Sequence, residues 1–273
     1  VVNEQTPIVD ARLENGDRVN VVLRPVALNG PILTIRRFPE HPITMAQLIS
    51  RNCISGEAAD FLNRLVQAKY SILVGGGTST GKTTFLNALS SYIPSGERII
   101  TIEDNAELQI QGIENLVRLE AREIHLEGQQ SITIRDLIRT SLRMRPSRII
   151  IGEVRGAEAW DFLQALNTGH NGSLGTAHAN STEDMLGRLE SMVLMGMDLP
   201  LEAIRRQIVS GVEILVHLER DSGGERHVEE ISEIDGIRGG VIVLNPLFQW
   251  EHGKGLRECG TLKNTKKLER LRN

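Results

Sequence analysis

The sequence is poor in aromatic residues, in cysteine and in long hydrophobic runs, and each shortage excludes a class of protein. Aromatic side chains make up 3% of the chain and the formal net charge is −4, which argues against a basic, aromatic-lined channel for nucleic acid. The two cysteines, Cys53 and Cys259, match no metal-binding or disulfide spacing, so a reducing cytoplasm is expected. The longest apolar runs have the length of a strand, well below the roughly 18 residues of a membrane span.

The first forty residues are predicted to be β-structure. Residues 18–23 and 31–35 are short β-rich runs, and turn residues such as Asn15-Gly16-Asp17 separate them. A segment of this length does not readily close a core of its own, and the chain begins without Met. We therefore interpret residues 1–38 as the C-terminal part of a truncated N-terminal α+β domain. Residues 39–45, which contain Pro39 and Pro42, are predicted to be a linker that acts as a hinge.

From residue 46 onward the pattern changes to alternating helices and strands. The predicted strands cover residues 71–74, 98–102, 116–119, 148–151, 213–218 and 241–244, and the predicted helices cover residues 57–69, 132–144 and 203–210. Uninterrupted apolar strands are typical of a sheet covered on both faces, so residues 46–254 are predicted to form a doubly wound, mainly parallel α/β domain. Residues 255–273 carry six Lys or Arg against two Glu and are predicted to be a basic tail, as a solvated helix or loose chain.

A phosphate-binding loop is the strongest motif in the chain. It matches G-x-x-x-x-G-K-[ST] and lies between a predicted strand and a predicted helix, which is the context that supports the assignment. Backbone N–H groups of such a loop surround phosphate, the lysine binds the β- and γ-phosphates, and the following hydroxyl binds Mg²⁺. The candidate nucleotide-binding residues are Gly76, Gly77, Thr78, Ser79, Thr80, Gly81, Lys82, Thr83 and Thr84, with Thr83 also a candidate metal ligand.

Carboxylates follow two of the predicted strands. Glu103, Asp104 and Glu107 come after one of them, at the sheet edge where ligands bind in α/β proteins, and are candidates to polarise the attacking water. Taken alone, they also fit an acidic cap on a following turn. Glu153 ends the strand after three isoleucines, in a Walker B-like segment where Gly152 replaces the aspartate often found there. Glu153 is the candidate base and a second candidate metal ligand.

A histidine and several arginines complete the candidate site. His178 lies among small residues and lacks the spacing of a zinc ligand pair, so contact with the γ-phosphate is favoured, although a lone histidine is more often structural. Phosphoryl transfer also benefits from an arginine supplied by a neighbouring subunit. The candidates for that role are Arg36, Arg37, Arg118, Arg122, Arg135, Arg139 and Arg143, most of which are expected to be solvated.

Together these motifs resemble the type II and type IV secretion-system ATPases (the GspE/PilT-like family), and most closely the CpaF-type motors of tight-adherence (Flp) pili. The stretches that carry the resemblance are the phosphate-binding loop at 76–83, the acidic "Asp box" at 103–107, the Walker B region at 141–158, the "His box" at 169–180, and residues 33–38 and 243–248. The resemblance spans residues 6–248. It implies a RecA-like ATPase that uses ATP and Mg²⁺ and assembles as a hexameric ring on the cytoplasmic side of the inner membrane. Its partners there would be the platform proteins of a secretion or pilus machine, with membrane association only through them and no direct nucleic-acid binding.

The resemblance also implies roles for individual residues. Lys82 and Thr83 would bind phosphate and Mg²⁺, Glu153 would be the catalytic glutamate, and His178 would contact the γ-phosphate side. The acidic trio Glu103, Asp104 and Glu107 would support the water and the metal. Phosphate-contacting or neighbour-supplied arginines would be Arg36, Arg37, Arg118 and Arg122.

Two alternatives from other classes remain at this stage. One is a RecA-like nucleic-acid translocase, against which the low aromatic content and the negative net charge argue. The other is a scaffold that binds ATP without turnover, against which the paired carboxylates and Glu153 argue. The sequence leaves open whether the machine extends a pilus, retracts one or exports protein.

Overall fold

A computed structural model of the chain describes residues 3–38, 40–122 and 131–271, and the chain divides into two units, Val1–Pro42 and Ile43–Asn273. The first unit has, in its described part, three strands: β1 (Ile8–Arg12), β2 (Arg18–Val22) and β3 (Ile32–Arg36). They pair antiparallel in the order β1-β2-β3. Strand β1 was missed by the sequence analysis because Asp10 and Arg12 interrupt its apolar pattern. Pro39, in the predicted linker, lies outside the described residues.

The predicted turn between β1 and β2 forms around Gly16. This glycine has a φ of +91°, which is a left-handed conformation that favours glycine. The carboxylate of Asp17 accepts a hydrogen bond from the Asn15 side chain at 2.9 Å and one from the backbone N–H of Phe38 at 2.6 Å. Asp17 therefore ties the turn to the segment that follows β3.

The second unit alternates helices and strands, as predicted. Its helices in the described residues are α1 (Met45–Ser50), α2 (Gly56–Gln67), α3 (Lys82–Ser90), α4 (Ile134–Ser141), α5 (Glu158–Asn167), α6 (Thr182–Gly196), α7 (Leu201–Gly211) and α8 (Lys266–Leu271). Its strands there are β4 (Ile72–Gly76), β5 (Arg98–Glu103), β6 (Asn115–Glu120), β7 (Arg148–Val154), β8 (Leu174–His178), β9 (Ile214–Arg220), β10 (Arg226–Arg238), β11 (Val241–Glu251) and β12 (Gly255–Glu258). Within the described ranges, no helix has both the length and the apolar character that a bilayer crossing requires.

The strands of the second unit form one sheet whose order is β12-β11-β10-β9-β4-β8-β7-β5-β6. Neighbours from β9 to β6 pair parallel, and β10, β11 and β12 continue the sheet antiparallel. The central parallel strands are mostly apolar and mostly buried, and one hydrophobic core lies on each face of the sheet. The predicted doubly wound α/β fold is confirmed.

The chain after residue 254 differs in part from the predicted basic tail. Strand β12 pairs with β11 at the edge of the sheet, so residues 255–258 are neither loose nor helical, whereas a terminal helix forms as α8 (Lys266–Leu271). Beyond β12, the buried carboxylate of Glu233 accepts hydrogen bonds from the backbone N–H groups of Lys263 at 2.9 Å and Asn264 at 2.7 Å. The ammonium of Lys267 bonds to Glu213 at 2.5 Å. The positive charges suggested a solvated segment because their carboxylate partners lie far away in the sequence.

A buried arginine bonds to three other segments of the chain. Arg148, the first residue of β7, is 0% exposed, and its Nε and Nη2 bind both carboxylate oxygens of Glu97 at 2.8 and 2.7 Å. Its Nη1 donates to the carbonyls of Val66 at 2.6 Å and Gly172 at 3.3 Å. Burial opposes ionisation of Glu97, but the hydrogen bonds and charge of Arg148 outweigh it and lower the pKa of Glu97. The pair is therefore charged and well bonded in the interior.

Replacing Arg148 by methionine should destabilise the second unit strongly. The substitution leaves the Glu97 carboxylate and two carbonyls without their buried partner, a loss that typically costs about 3 to 5 kcal/mol. Urea unfolding at neutral pH measures the loss in the free energy of unfolding. Arg206→Ala, which removes an exposed arginine paired with Glu202 on α7, is the matched control and should cost about 1 kcal/mol or less. Equal losses in the two variants would contradict the structural role of Arg148.

Candidate functional site

The phosphate-binding loop connects the end of β4 to the start of α3. Ser79 and Gly81 have φ values of +62° and +95°, so the loop turns through two left-handed residues before the helix begins. Gly81 is the N-cap of α3 and provides no side chain to bond the first N–H groups of the helix. Thr80 closes the loop by donating its hydroxyl to the carbonyl of Gly77 at 3.0 Å. These features leave backbone N–H groups at the helix start available to an anion.

Lys82 folds back over this loop. Its Nζ donates to the carbonyls of Gly76 at 3.1 Å and Gly77 at 3.0 Å. The same atom lies 3.8 Å from Oε1 of Glu153 and 3.5 Å from Nδ1 of His178. Burial is the largest influence on the pKa of Lys82 and lowers it, while the negative charge of Glu153 opposes that effect.

Glu153 and His178 complete a cluster around this lysine. His178 Nε2 lies 2.9 Å from Oε1 of Glu153. Burial, and next the charge of Lys82, lower the pKa of His178 below its ordinary value, so its imidazole is neutral at pH 7. These partners are consistent with a tautomer in which Nε2–H donates to Glu153 and Nδ1 accepts from Lys82. Lys82, Glu153 and His178 were each predicted from the sequence, and the fold brings them together.

The order of the strands explains why these residues meet. Strand β8 lies between β4 and β7, and all three run parallel, so their carboxyl ends share one edge of the sheet. In this register His178 pairs with Gly76, the residue at which β4 passes into the loop. A strand-end histidine and a strand-end glutamate therefore face the loop from two neighbouring strands.

Glu103 is the most buried carboxylate near this edge, with 3% of its surface exposed. Its Oε1 accepts hydrogen bonds from the backbone N–H groups of Glu107 at 2.9 Å and Leu108 at 2.8 Å. Its Oε2 is buried and has no hydrogen-bond partner among the residues that the structure describes. Burial raises the pKa of Glu103 to about 7, against the opposing effects of these N–H groups and the charge of Arg118. The side chain can therefore hold or release a proton near neutral pH.

Gly152 is required by the position of Glu103. A Cβ atom on Gly152 would lie 2.8 Å from Cγ of Glu103, a distance that real contacts do not reach. In Walker B segments, aspartate is often found at this position. Aspartate does not fit here unless Glu103 moves, and the glycine therefore lets β5 and β7 carry two carboxylates on adjacent strand ends.

The remaining acidic candidates are arranged around Glu103 and Glu153. Asp104 is exposed, and its carboxylate lies 3.4 Å from Nη1 of Arg155, whose Nε and Nη2 also contact Glu153. Glu107 contributes its backbone N–H to Glu103, and its negative charge adds to the raised pKa of Glu103. Arg155 received no role from the sequence analysis. Its position two residues after Glu153 was the available signal, although Arg155 lies just beyond the end of β7.

The arginine candidates separate in the structure. Arg118 donates to the carbonyl of Leu108 at 3.0 Å and so supports the segment after β5. Arg122 forms a backbone bridge with Ile132. Arg36, at the end of β3, and the adjacent Arg37 belong to the first unit, so their contact with nucleotide stays a prediction.

Two of the arginines expected to be solvated have a structural partner, and one of them, Arg139, is also 57% exposed. Arg135 and Arg139, one turn apart on α4, both bind the carboxylate of Asp161 on α5, at 2.6 and 2.8 Å. This pairing joins α4 to α5 and occupies both guanidinium groups. Arg143 lies in the short 3₁₀ turn Leu142–Met144 that follows α4 and is exposed.

Comparison with known proteins decides the family. The family model described as "Type II/IV secretion system protein" matches residues 1–232. A Mycobacterium tuberculosis protein described only as a candidate conjugal transfer protein is 39% identical over 241 residues, which cover 88% of this chain and 67% of that protein. The chain belongs to the type II/IV secretion system protein family.

Solved structures of this family share the fold. The VirB11 ATPase of the Brucella suis type IV secretion system is 33% identical with a TM-score of 0.58, and the match covers 85% of this chain and 75% of that one. The pilus retraction motor PilT, solved with ADP, has a TM-score of 0.62 at 22% identity over 85% of this chain and 64% of its own, a likeness of fold alone. The predicted secretion-ATPase family and enzyme class are confirmed, whereas the finer CpaF-type assignment stays a prediction.

The residues at the loop also fit a magnesium ion. In the described parts of the chain, no group of three or more His, Cys, Asp or Glu side chains is placed to hold a metal by itself. Mg²⁺ suits such a site because it keeps several waters and is usually bound through substrate phosphates and one or two protein ligands. Thr83, half-buried in the first turn of α3, and Glu153 are the residues that would supply them.

Replacing Glu103 by glutamine should remove a pH dependence of stability. Because the pKa of Glu103 rises from an ordinary 4.5 to about 7, the folded chain retains a proton that the unfolded chain loses between these values. The stability that this proton contributes is present below pH 4.5 and is lost as the pH rises through 7. Relative to Glu103→Gln, the wild type should lose about 2 kcal/mol between pH 5 and pH 8.

Urea unfolding of both proteins across this pH range measures the difference. Glu202→Gln, at an exposed glutamate on α7, is the control and should show no such trend against the wild type. A difference between wild type and Glu103→Gln that stays constant with pH would show that Glu103 does not carry a raised pKa.

Proposed function

We propose that this ATPase is the motor of a type II/IV secretion or pilus-assembly machine, and that it is of the CpaF type that serves tight-adherence pili. The observation that carries the proposal is the meeting of Lys82, Glu153 and His178 beside the phosphate-binding loop. The finer assignment rests on the resemblance of residues 33–38, 141–158 and 243–248 to that branch. The negative net charge favours a protein machine over a nucleic-acid track.

The proposed reaction is attack of water on the γ-phosphorus of ATP. The free N–H groups at the start of α3 bind the phosphates, and Lys82 exchanges its carbonyl contacts for the β- and γ-phosphate oxygens. Oε1 of Glu153 accepts a proton as the water oxygen bonds to phosphorus, while the bond from the γ-phosphorus to the bridging oxygen breaks. The products are ADP and phosphate. His178 orients Glu153 through its Nε2–H and lies on the γ-phosphate side.

Two further groups of residues support this chemistry in the proposal. Thr83, and Glu153 through an intervening water, would hold Mg²⁺ together with the phosphate oxygens, and the ion would supply neutralisation of the charge that develops on the phosphate groups. Glu103, Asp104 and Glu107 would hold the water network behind Glu153. An arginine from a neighbouring copy, with Arg36, Arg37, Arg118 and Arg122 as candidates, would stabilise the γ-phosphate as it leaves.

The proposed assembly is a hexameric ring on the cytoplasmic side of the inner membrane. Head-to-tail contacts that close into a ring would place each site beside a neighbouring copy. Platform proteins of the secretion or pilus machine would be the partners, and the chain would reach the membrane through them, without direct contact with nucleic acid.

Glu153→Gln should keep nucleotide binding and lose hydrolysis. Glutamine preserves the size of the side chain but accepts no proton, so kcat should fall by about 100-fold or more while affinity for a fluorescent ATP analogue changes by less than about threefold. Lys82→Ala, assayed in parallel, should lose affinity, because it removes the charge that binds the phosphates. Glu202→Gln should retain wild-type turnover. Wild-type phosphate release by Glu153→Gln would remove that residue from the role of base.

Assembly should depend on nucleotide. A ligand that binds beside a contact between subunits stabilises the assembled form. A non-hydrolysable ATP analogue should therefore shift the protein from single chains toward hexamers. Light scattering with and without the analogue measures the mass. A mass of one chain under both conditions, at concentrations where the analogue saturates the site, would contradict the ring.

A further inference from the structure

Arg155 connects two of the carboxylates at the candidate site. Its Nε and Nη2 contact Oε2 of Glu153, and its Nη1 lies 3.4 Å from Oδ2 of Asp104. Glu153 ends β7 and Asp104 follows β5, so the guanidinium group bridges two adjacent strands of the sheet.

The two oxygens of Glu153 have different partners. Oε2 is held by Arg155, whereas Oε1 lies 2.9 Å from His178 Nε2 and 3.8 Å from Lys82 Nζ. Two N–H groups of one guanidinium that converge on a single carboxylate oxygen anchor that oxygen in place. Arg155 therefore determines which oxygen of Glu153 faces the phosphate-binding loop.

The position of Arg155 is itself fixed by the start of the next helix. Its backbone N–H donates to Oε1 of Glu158 at 2.6 Å, and the N–H of Gly156 donates to the same oxygen at 2.9 Å. Glu158 thus holds the turn between β7 and α5. The guanidinium is 60% exposed, but Glu153 is only 14% exposed, so this contact differs from a pair between two solvated side chains.

Removal of Arg155 would leave Glu153 with Lys82 as its main cationic partner. The ammonium is 3.8 Å away, and the carboxylate would turn toward it. A carboxylate turned in that direction no longer points at the attacking water. Arg155 prevents this by holding Oε2 toward Asp104.

We propose that Arg155 is a positioning residue: it anchors one oxygen of Glu153 beside Asp104, so that the other faces the attacking water. The inference rests on the proposed function, because it assumes that Glu153 is the base. Arg155 acts through Glu153 and makes no contact of its own with the phosphates.

A double-mutant cycle tests this role. Phosphate release and affinity for a fluorescent ATP analogue are measured for the wild type, Arg155→Ala, Glu153→Gln and the double variant. Arg155→Ala should lower kcat by about 10- to 100-fold with affinity changed less than about threefold, since only orientation of the base is lost. The double variant should be no slower than Glu153→Gln, because residues that act as a unit are not additive.

Three outcomes would overturn the proposal. They are wild-type turnover in Arg155→Ala, an additive loss in the double variant, and a loss that lies entirely in nucleotide affinity, which would make Arg155 a phosphate ligand. Arg206→Ala, an exposed arginine paired with Glu202 on α7, is the control and should keep wild-type kcat. Unchanged circular dichroism of Arg155→Ala shows that the fold is retained.

Conservative variants provide a second readout. Arg155→Lys retains the charge but lacks the planar fork, so its kcat should stay within about threefold of Arg155→Ala. The kcat of Asp104→Asn should lie between that of the wild type and that of Arg155→Ala. A wild-type kcat in Arg155→Lys would show that a positive charge alone suffices. It would refute positioning of Glu153 by the planar guanidinium.

The design separates this inference from the function on which it rests. If Glu153→Gln loses hydrolysis and Arg155→Ala does not, only the role of Arg155 falls. If the wild type releases no phosphate above Lys82→Ala, the proposed function fails and the role of Arg155 fails with it.

Discussion

The site depends on one constraint, the side-by-side parallel pairing of β4, β8 and β7. Each strand runs in the same direction, so the residues at their carboxyl ends lie along one edge although Lys82 and His178 are 96 positions apart in the chain. The phosphate-binding loop leaves the middle of the sheet, and Glu153 and His178 approach it from neighbouring strands. A different strand order would separate Lys82 from the side chains of Glu153 and His178.

A buried ion pair away from the candidate site is fully paired, whereas the buried charged groups at the site are only partly paired. Arg148 and Glu97 lie away from the loop and satisfy each other with two short hydrogen bonds, so their charges are fully compensated. Glu103 keeps a buried oxygen without a partner, and Lys82 is bonded mainly to carbonyl groups. Incompletely compensated buried groups of this kind cluster where a ligand completes them. The family relationship is consistent with that interpretation.

Local departures from a familiar motif have physical causes in this fold. Gly152 replaces the aspartate often found in a Walker B segment because Glu103 from the adjacent strand occupies the space of a side chain there. In the proposed function, Glu103 and Glu153 on two strands supply the acidic groups. Arg155, three residues beyond Gly152, supports this arrangement, and Glu158 at the start of α5 holds Arg155 in place.

The sequence by itself determined those features whose parts are close along the chain. The strand, glycine-rich loop and helix around Lys82 form a local unit, and apolar runs such as Ile149–Ile151 indicate buried parallel strands without knowledge of their neighbours. Glu153 and His178 were recognisable because they end such strands. Their distances to Lys82 were not, since strand order is a property of the whole sheet.

Only the tertiary structure decided how charged side chains are used. The arginines of α4 suggested a solvated face until Asp161 of α5 was placed beside them, and the basic C-terminal segment suggested a loose tail until Glu213 and Glu233 provided partners. A charge looks the same in a sequence whether it is solvated or paired. Its role depends on which distant residue the fold brings within hydrogen-bond distance, and this is also why the contact of Arg155 with Glu153 and Asp104 became visible only in three dimensions.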